Sequence, residues 1–549
     1  MFQEMGIGEK VSPLALPLGE SDQADALKRL VELGIALSAE RNHDRLLERI
    51  MVGAMELSNA DGGTLYLRTD DDRLRFEIIR NQSLGIAMGG TTGQQVPFPS
   101  LVMFKDQAGK VPNHSHVATH VALSGATSKI DDAYTAADFD FSGTRNFDEG
   151  TGYRSKSFLT VPLKNRQQAV IGVLQLLNAI EPASGKVIPF ADSVVPLIEA
   201  LSSQAAVALD NQRLIDEQRN LFDAFINLMA GAIDAKSAYT GGHCQRVPVL
   251  TEMLAEAACQ AADGPFADFN LTDDQWYELR VAGGLHDVGK VTTPTHVMDK
   301  ATKLEKIYDR IEEVRVRAEV IRRDIVIAYL EGVAAGKDPA IAAAERDRAL
   351  AQLSADVQAI AHGNIGGEFM SDAAIAELAA IAKRRWTLEG TERPLLSEEE
   401  LMNLSIRRGT LNDAERKIIN DHIVLTIQML EQLPFPSHMR NVPELAGGHH
   451  EKMDGTGYPK RLKRHEMSLP ARMMGVADIF EALTAADRPY KKPKSLSESM
   501  RIMLAMRDSQ HIDPDIFRLF VTSGVYRRYA EKFLLPEQID EVDEATLLA

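Results

Sequence analysis

Two adjacent histidines, His449 and His450, run into a turn containing Gly455, Gly457 and Pro459, a pattern that fixes two imidazoles and keeps the following backbone close to whatever they hold. Compatible donors recur elsewhere. His286-Asp287 closes an apolar-periodic helical segment and is followed by Lys290, His422 falls on a periodic helix from about Asp413 to Leu433, and Asp478 lies inside another, Met473 to Thr484. His243 can add a fifth imidazole. Nitrogen and oxygen donors without thiolate suit Fe, Mn, Zn or Ni, and a carboxylate beside a histidine is placed to bridge two ions.

Several ordered motifs accompany these donors. Tyr239-Thr240-Gly241-Gly242-His243, the His286-Asp287 pair with Lys290, His422, the block from His449-His450-Glu451 to Gly457-Tyr458-Pro459, and Asp478 through Arg488-Pro489-Tyr490 together resemble the HD-GYP family of bacterial phosphodiesterases. That family is a branch of the HD-domain metal-dependent phosphohydrolases, and the match runs over about residues 234 to 520. The resemblance implies an all-α catalytic domain over residues 234–549 that hydrolyses cyclic di-GMP to linear pGpG, with or without a second step to GMP. A 3',3'-cyclic GMP-AMP phosphodiesterase is the rival within the same class. A catalytically weak cyclic-dinucleotide receptor acting through a partner is the alternative from another class.

With the residue types, the resemblance implies that Asp287 bridges two metals, that His286 and Asp478 hold one, and that His422, His449 and His450 hold the other. His243 is a further ligand or an orienting group at a helix start. Fe or Mn is expected, two ions per subunit. Relatives with a third metal carry Glu four positions before the first histidine, where this chain has Tyr239. Lys290 would neutralise charge growing on the non-bridging phosphate oxygens, and Asp287 with Lys290 forms the expected catalytic pair. Arg488 and Lys491 are expected to contact substrate phosphate. Glu451 and Asp454 are expected to hold the turn of Gly455, Gly457, Tyr458 and Pro459 and to orient the imidazoles through their second nitrogens.

The elements that must position these groups follow from the rest of the chain. Its 549 residues are enough for several domains, and a net charge of −18 argues against a nucleic-acid polymer as ligand. Cys244 and Cys259 lie close together in one helical region, are too few for a disulfide framework and lack metal-finger spacing, so they read as reduced core residues. No apolar run approaches the roughly 20 residues that span a bilayer, and no signal segment opens the chain, so a cytoplasmic protein without a membrane partner is expected.

Residues 1–23 read as a mobile leader, and two amphipathic helices follow to about Asn59. The β-type runs Gly63–Arg68, Leu74–Arg80, Ser157–Lys164 and Ala169–Asn178 come next and predict an antiparallel sheet flanked by helices. Asn146 to Ser157, Val161-Pro162-Leu163 and Gly172 to Asn178 resemble a GAF domain of the cyclic-nucleotide phosphodiesterase type, covering residues 24–212. Asn178 matches that subgroup's signature, Ala179 stands in place of its lysine, and Phe190 and Asp192 match loosely. The resemblance implies either a sensor whose ligand is a small molecule or a cyclic nucleotide, or a domain that serves only as a dimerising spacer. No cysteine lies in this region, which excludes a thioether-linked chromophore.

Residues 192–235 carry an apolar period without proline after Pro196. We read them as one signalling helix that joins sensor to catalytic domain and pairs with a second subunit, making a homodimer; two helices broken near Asn211 are the alternative. From about 305 to 407 an Ala-, Glu- and Arg-rich pattern predicts a helical insertion in the catalytic domain, serving as lid, dimer arm or partner surface. The charge along Ile307 to Arg323 reads as a solvated helix face.

Overall fold

The computed structural model describes residues 20–106, 111–236, 242–367, 369–486 and 493–549. The chain divides into two compact units, Met1–Leu221 and Phe222–Ala549. Most of the expected leader, together with Tyr239, Arg488 and Lys491, lies outside the described residues. Among the described residues no helix is long and apolar enough to cross a membrane.

The first unit opens with helices α1 (Glu20–Ala39) and α2 (His43–Ser58), the second capped by the Asn42 side chain accepting from Arg45 N at 2.9 Å. Strands β1 (Ala60–Arg68), β2 (Arg73–Asn81), β3 (Ile86–Gly89) and β4 (Leu101–Val102) follow, then α3 (Val117–Ser124), β5 (Ser128–Ile130) and α4 (Ser142–Thr151). β6 (Phe158–Lys164), β7 (Val170–Ile180) and β8 (Val187–Ile188) complete an antiparallel sheet of order β3-β2-β1-β7-β6-β5, with β4 on β2 and β8 on β7.

Alternation along these strands sends side chains to two faces. One face buries Leu65, Leu159, Val161, Leu174 and Leu176 with Leu46, Ile50 and Met51 of α2 and Ile198 and Leu201. The other buries Tyr66, Leu74, Phe158 and Val173 with Val117 and Val121 of α3.

The signature residues near the last strand have structural work. Asn178, at φ 54°, accepts from Lys156 N and Ser157 N at 2.7 and 3.2 Å and donates to Arg154 O. Phe190 is core and Asp192 pairs with Lys129.

Helix α5 (Val195–Lys236) runs without a break past Asn211. The second unit continues with α6 (His243–Cys259), α7 (Asp273–Leu285), a 3-10 segment Val288–Thr292 and α8 (Thr295–Met298). The stretch expected as a helical insertion holds α9 (Ile311–Ala334), α10 (Pro339–Asn364), α11 (Asp372–Ala382) and α12 (Glu398–Leu404). It has its own core of Leu304, Val314, Leu353, Ile360, Leu378, Leu395 and Leu404.

Two expectations for this stretch are corrected. It is not all helical, because β9 (Arg385–Leu388) and β10 (Thr391–Pro394) form a hairpin turning at Glu389-Gly390. Nor is its charged stripe wholly solvated: Arg317 reaches across to the buried Glu400, Nη1 to Oε2 at 2.7 Å and Nη2 to Oε1 at 3.0 Å.

Helices α13 (Asp413–Glu431), α14 (Val442–Gly447), α15 (Leu469–Thr484), α16 (Leu496–Asp508), α17 (Pro514–Thr522), α18 (Val525–Phe533) and α19 (Glu544–Leu548) complete the unit. The large core packs α6, α7, α14, α15, α16, α17 and α18 together through residues such as Val247, Leu254, Leu279, Met474, Phe480, Phe517 and Tyr529. Caps set where the site-bearing helices begin. Asn412 and Glu415 make a reciprocal capping box on α13, and the Ser468 hydroxyl accepts from Ala471 N to start α15.

Candidate metal centre

Asp287 is the centre of the cluster. It follows α7 at φ −106°, ψ 13°, where the helix gives way to the 3-10 segment, and its side chain is 1% exposed. Its two oxygens face different groups. Oδ1 lies 3.2 Å from His422 Nε2 and 3.9 Å from His449 Nε2, whereas Oδ2 lies 3.4 Å from both His243 Nε2 and His286 Nε2. Asp478, on α15, closes the second group, with Oδ1 3.1 Å from His243 Nε2 and 3.9 Å from His286 Nε2. His450 completes the first, its Nε2 3.3 Å from His422 Nε2 and its ring stacked on Tyr458 at 4.9 Å.

The backbone orients three of these rings by one device. His286 Nδ1 donates to Gly283 O at 2.7 Å, His449 Nδ1 to Ala446 O at 2.6 Å, and His422 Nδ1 to Ile419 O, each carbonyl three residues upstream in a helix. A carbonyl only accepts, so the proton sits on Nδ1 and the Nε2 lone pair turns inward. His243 opens α6 and uses a carboxylate instead: its Nδ1 bonds Glu481 Oε2. Glu481, one helical turn after Asp478 on α15, is itself held by Arg246, with Nε to Oε1 at 2.7 Å.

This corrects the expectation that Glu451 and Asp454 orient the imidazoles. Of the two tasks expected of Glu451, the bonds show the turn: its two oxygens accept from Lys460 N at 2.7 Å and Leu462 N at 3.0 Å. Asp454 is exposed and caps Thr456, and Gly455 turns the chain between them. Gly457 is a close-approach residue, because a Cβ there would lie 2.3 Å from Lys452 N. Pro459 follows Tyr458 through a cis peptide bond. Gly289 does the same service beside Asp287: a Cβ would sit 2.0 Å from His422 O, so glycine lets the 3-10 segment press onto α13, where its N–H donates to Thr426 Oγ1 at 2.9 Å.

Charge in the cluster is arranged for cation binding. Burial holds the His449 imidazole down to about 4 and pushes His286 and His450 down as well, so those rings are neutral donors. Burial would raise the Asp287 carboxyl, but the Lys290 ammonium holds it well below the ordinary range. Lys290 keeps its charge because Asp287 and Asp478 outweigh its own burial, and its Nζ lies 2.5 Å from Asp287 Oδ2. It is thus a largely buried member of the cluster rather than a surface cation on a helix end, with 21% side-chain exposure.

The donors fit metal ions. Among the described residues, His286 Nε2, His449 Nε2 and Asp287 Oδ1 are fully buried polar atoms without a hydrogen-bond partner, an arrangement too costly to keep unless something accepts their lone pairs. Asp287, His422, His449 and His450 form one group of converging ligand atoms, and His243, His286 and Asp478 form another.

The sequence brought all of these together except Glu481 and Arg246. A carboxylate three residues past Asp478 in an otherwise apolar helix, and a cation three residues past His243, were the available signals. Arg488 and Lys491, expected at substrate, lie outside the described residues.

Family comparison agrees with both halves of the chain. The GAF domain profile matches residues 42–209 and the HD domain profile matches residues 398–516. The chain therefore joins a GAF domain to an HD domain, the HD profile beginning at α12 and containing His422, His449, His450 and Asp478.

Parts of the chain are similar to curated phosphodiesterases. A cyclic di-GMP phosphodiesterase of Pseudomonas aeruginosa is 47% identical over 79 residues, 14% of this chain and 18% of the relative. The 3'3'-cGAMP-specific phosphodiesterase 1 of Vibrio cholerae is 42% identical over 83 residues, 15% of this chain and 19% of the relative. The 3'3'-cGAMP-specific phosphodiesterase 2 of Vibrio cholerae is 33% identical over 325 residues, 59% of this chain and 39% of the relative. The chain thus spans well under half the length of each of these relatives.

Proposed function

We propose that the protein is a metal-dependent phosphodiesterase that hydrolyses cyclic di-GMP to linear pGpG and further to GMP, under control of its GAF domain. The observation that carries this reading is the Asp287 carboxylate, which turns one oxygen to each of two groups of buried imidazole and carboxylate donors. Two divalent ions, Fe or Mn, would be held there, by His422, His449 and His450 on one side, by His243, His286 and Asp478 on the other, and by Asp287 in common. Ions in such a site supply Lewis acidity, which lowers the pKa of water and neutralises charge on phosphate.

The chain's own groups do the rest. Lys290 Nζ, a hydrogen bond from Asp287, offers a positive charge to the non-bridging oxygens where negative charge grows as phosphorus is attacked. Neutral His449 and His450 offer lone pairs rather than protons, because burial keeps them unprotonated. Tyr458, stacked on His450, walls the cluster with an aromatic face against which a base can lie. Arg488 and Lys491 are the residues we assign to substrate phosphate.

The mixed dinucleotide 3',3'-cyclic GMP-AMP is the second reading, favoured by the relatives that act on it. We further assign a cytoplasmic location and a homodimer. The dimer is supported by Leu214, Leu221 and Leu228 of α5, seven residues apart and 50%, 73% and 68% exposed, the spacing of a coiled-coil seam.

The test is Asp287→Ala. Turnover of cyclic di-GMP and bound metal should both fall to background in a protein that keeps its helical circular dichroism. Full activity in this variant would overturn the assignment.

A further inference from the structure

The first unit holds a cavity of about 460 Å³ between the sheet and helices α3 and α4, within the usual range for a small-molecule site. Its wall is aromatic: Tyr66, Phe76, Phe98, Phe141, Phe147 and Phe158 all line it. Tyr66 and Phe76 lie 4.7 Å apart, Phe76 and Phe98 5.6 Å, and Phe141 and Phe158 5.5 Å. Phe98 and Phe147 are 47% and 38% exposed, large apolar rings left in contact with water at the cavity wall.

Arg80 is the one lysine or arginine among the described lining residues, and its donors are spent. Nε bonds Glu48 Oε1 at 2.9 Å, Nη1 bonds Ile79 O at 2.8 Å and Met88 O at 2.7 Å, and Nη2 bonds Glu48 Oε2 and, at 3.3 Å, Gly89 O. A guanidinium has five N–H groups, and all five are used inside the protein. The charge is likewise neutralised by Glu48. Asp140, the one carboxylate among the described lining residues, would repel an anion, and His116 is the one imidazole there. Gln175 is also engaged, its Oε1 accepting from the Tyr66 hydroxyl and its Nε2 donating to Thr160 Oγ1, both at 3.2 Å.

A phosphate placed among these groups would lose its water and gain no cation or free N–H from Arg80, a penalty of several kcal/mol in general. A flat uncharged molecule would instead cover the exposed Phe98 and Phe147 and stack on the aromatic wall. We propose that this cavity binds an uncharged aromatic or heteroaromatic small molecule and excludes cyclic nucleotides. The proposal stands on the first unit alone and does not depend on the reading of the metal centre.

The test is calorimetric titration of the full chain with indole as the uncharged probe and, separately, with cyclic GMP and cyclic AMP. Phe98→Ala removes an exposed ring at little risk to the fold, and Thr144→Trp fills the cavity from α4. Saturable indole binding at one site per chain is expected, weakened about fivefold or more by each substitution. Any cyclic-nucleotide heat should be unchanged by them. Absence of saturable indole binding to the unsubstituted chain would overturn the proposal. So would cyclic-nucleotide binding that Phe98→Ala and Thr144→Trp both weaken.

Discussion

Glu481 bonds the outer nitrogen of His243, so the imidazole that opens α6 is aimed at Asp287 and Asp478 by a carboxylate from α15. The rings of His286, His422 and His449 are aimed by backbone carbonyls three residues upstream, and a residue at a helix start has no such carbonyl behind it. Glu481 therefore supplies from another element what His243 lacks locally.

Replacing Glu481 with Gln keeps the shape but removes the negative charge shared by His243 and Arg246. Loss of an outer partner of this kind lowers metal affinity or activity by about 10- to 100-fold. We expect the metal needed for half-maximal activity to rise by about that factor, while the corresponding change at Glu451 should chiefly lower thermal stability, since Glu451 holds backbone. Equal metal titration curves for Glu481→Gln and the parent would contradict the assignment.

Lys236, at the end of α5, donates to the carbonyl of Lys290 at 3.1 Å and to that of Val291. It thereby ties the helix end to the segment bearing Lys290. Lys236→Met removes those bonds without touching the donor cluster. One lost hydrogen bond of about 1 kcal/mol corresponds to about fivefold in rate if the bond positions the reacting groups. The expected result is a reduced kcat with unchanged metal content, partly restored in Lys236→Arg.

Much of the site was legible because its chemistry is local. His286-Asp287, His449-His450 and the glycine turn announce themselves within a few residues, and the helices carrying His422 and Asp478 follow from apolar period. Distant pairings left fainter traces. Glu481 reads as one polar position on an apolar helix until His243 is placed against it, and Arg317 reads as solvated until Glu400 meets it. The three carbonyls that orient imidazoles carry no side-chain signal at all. In the hairpin Arg385–Pro394, four-residue strands are too short for a period to stand out from the helical pattern around them, and Gly390 was its main cue. In the GAF unit the strands were readable from alternation, but the commitment of Arg80 to Glu48 required the fold.

Asp513 fastens the chain after the Gly-Tyr-Pro turn to the core, accepting from Arg464 at 2.8 and 3.1 Å and from Arg472 while capping α17. Burial would raise its carboxyl, but Arg464 and Arg472 hold it below the ordinary value of 3.8. A carboxyl lowered in the folded state stabilises above its unfolded pKa, and that contribution is lost as pH falls from near 4 through the lower folded value. Asp513→Asn should therefore cost about 2 kcal/mol in urea unfolding at pH 7 and show a shallower loss of stability below pH 4 than the parent. Parallel curves at all pH values would contradict this.

The most direct test of the central claim is metal content measured together with cyclic di-GMP turnover on anaerobically purified protein, before and after chelation and on return of Fe(II) or Mn(II), with pGpG resolved from GMP. The account predicts about two ions per chain, cleavage lost on chelation, and recovery as the second ion is restored. Cleavage that survives complete removal of metal, or a fully loaded protein that cleaves neither cyclic di-GMP nor 3',3'-cyclic GMP-AMP, would contradict it.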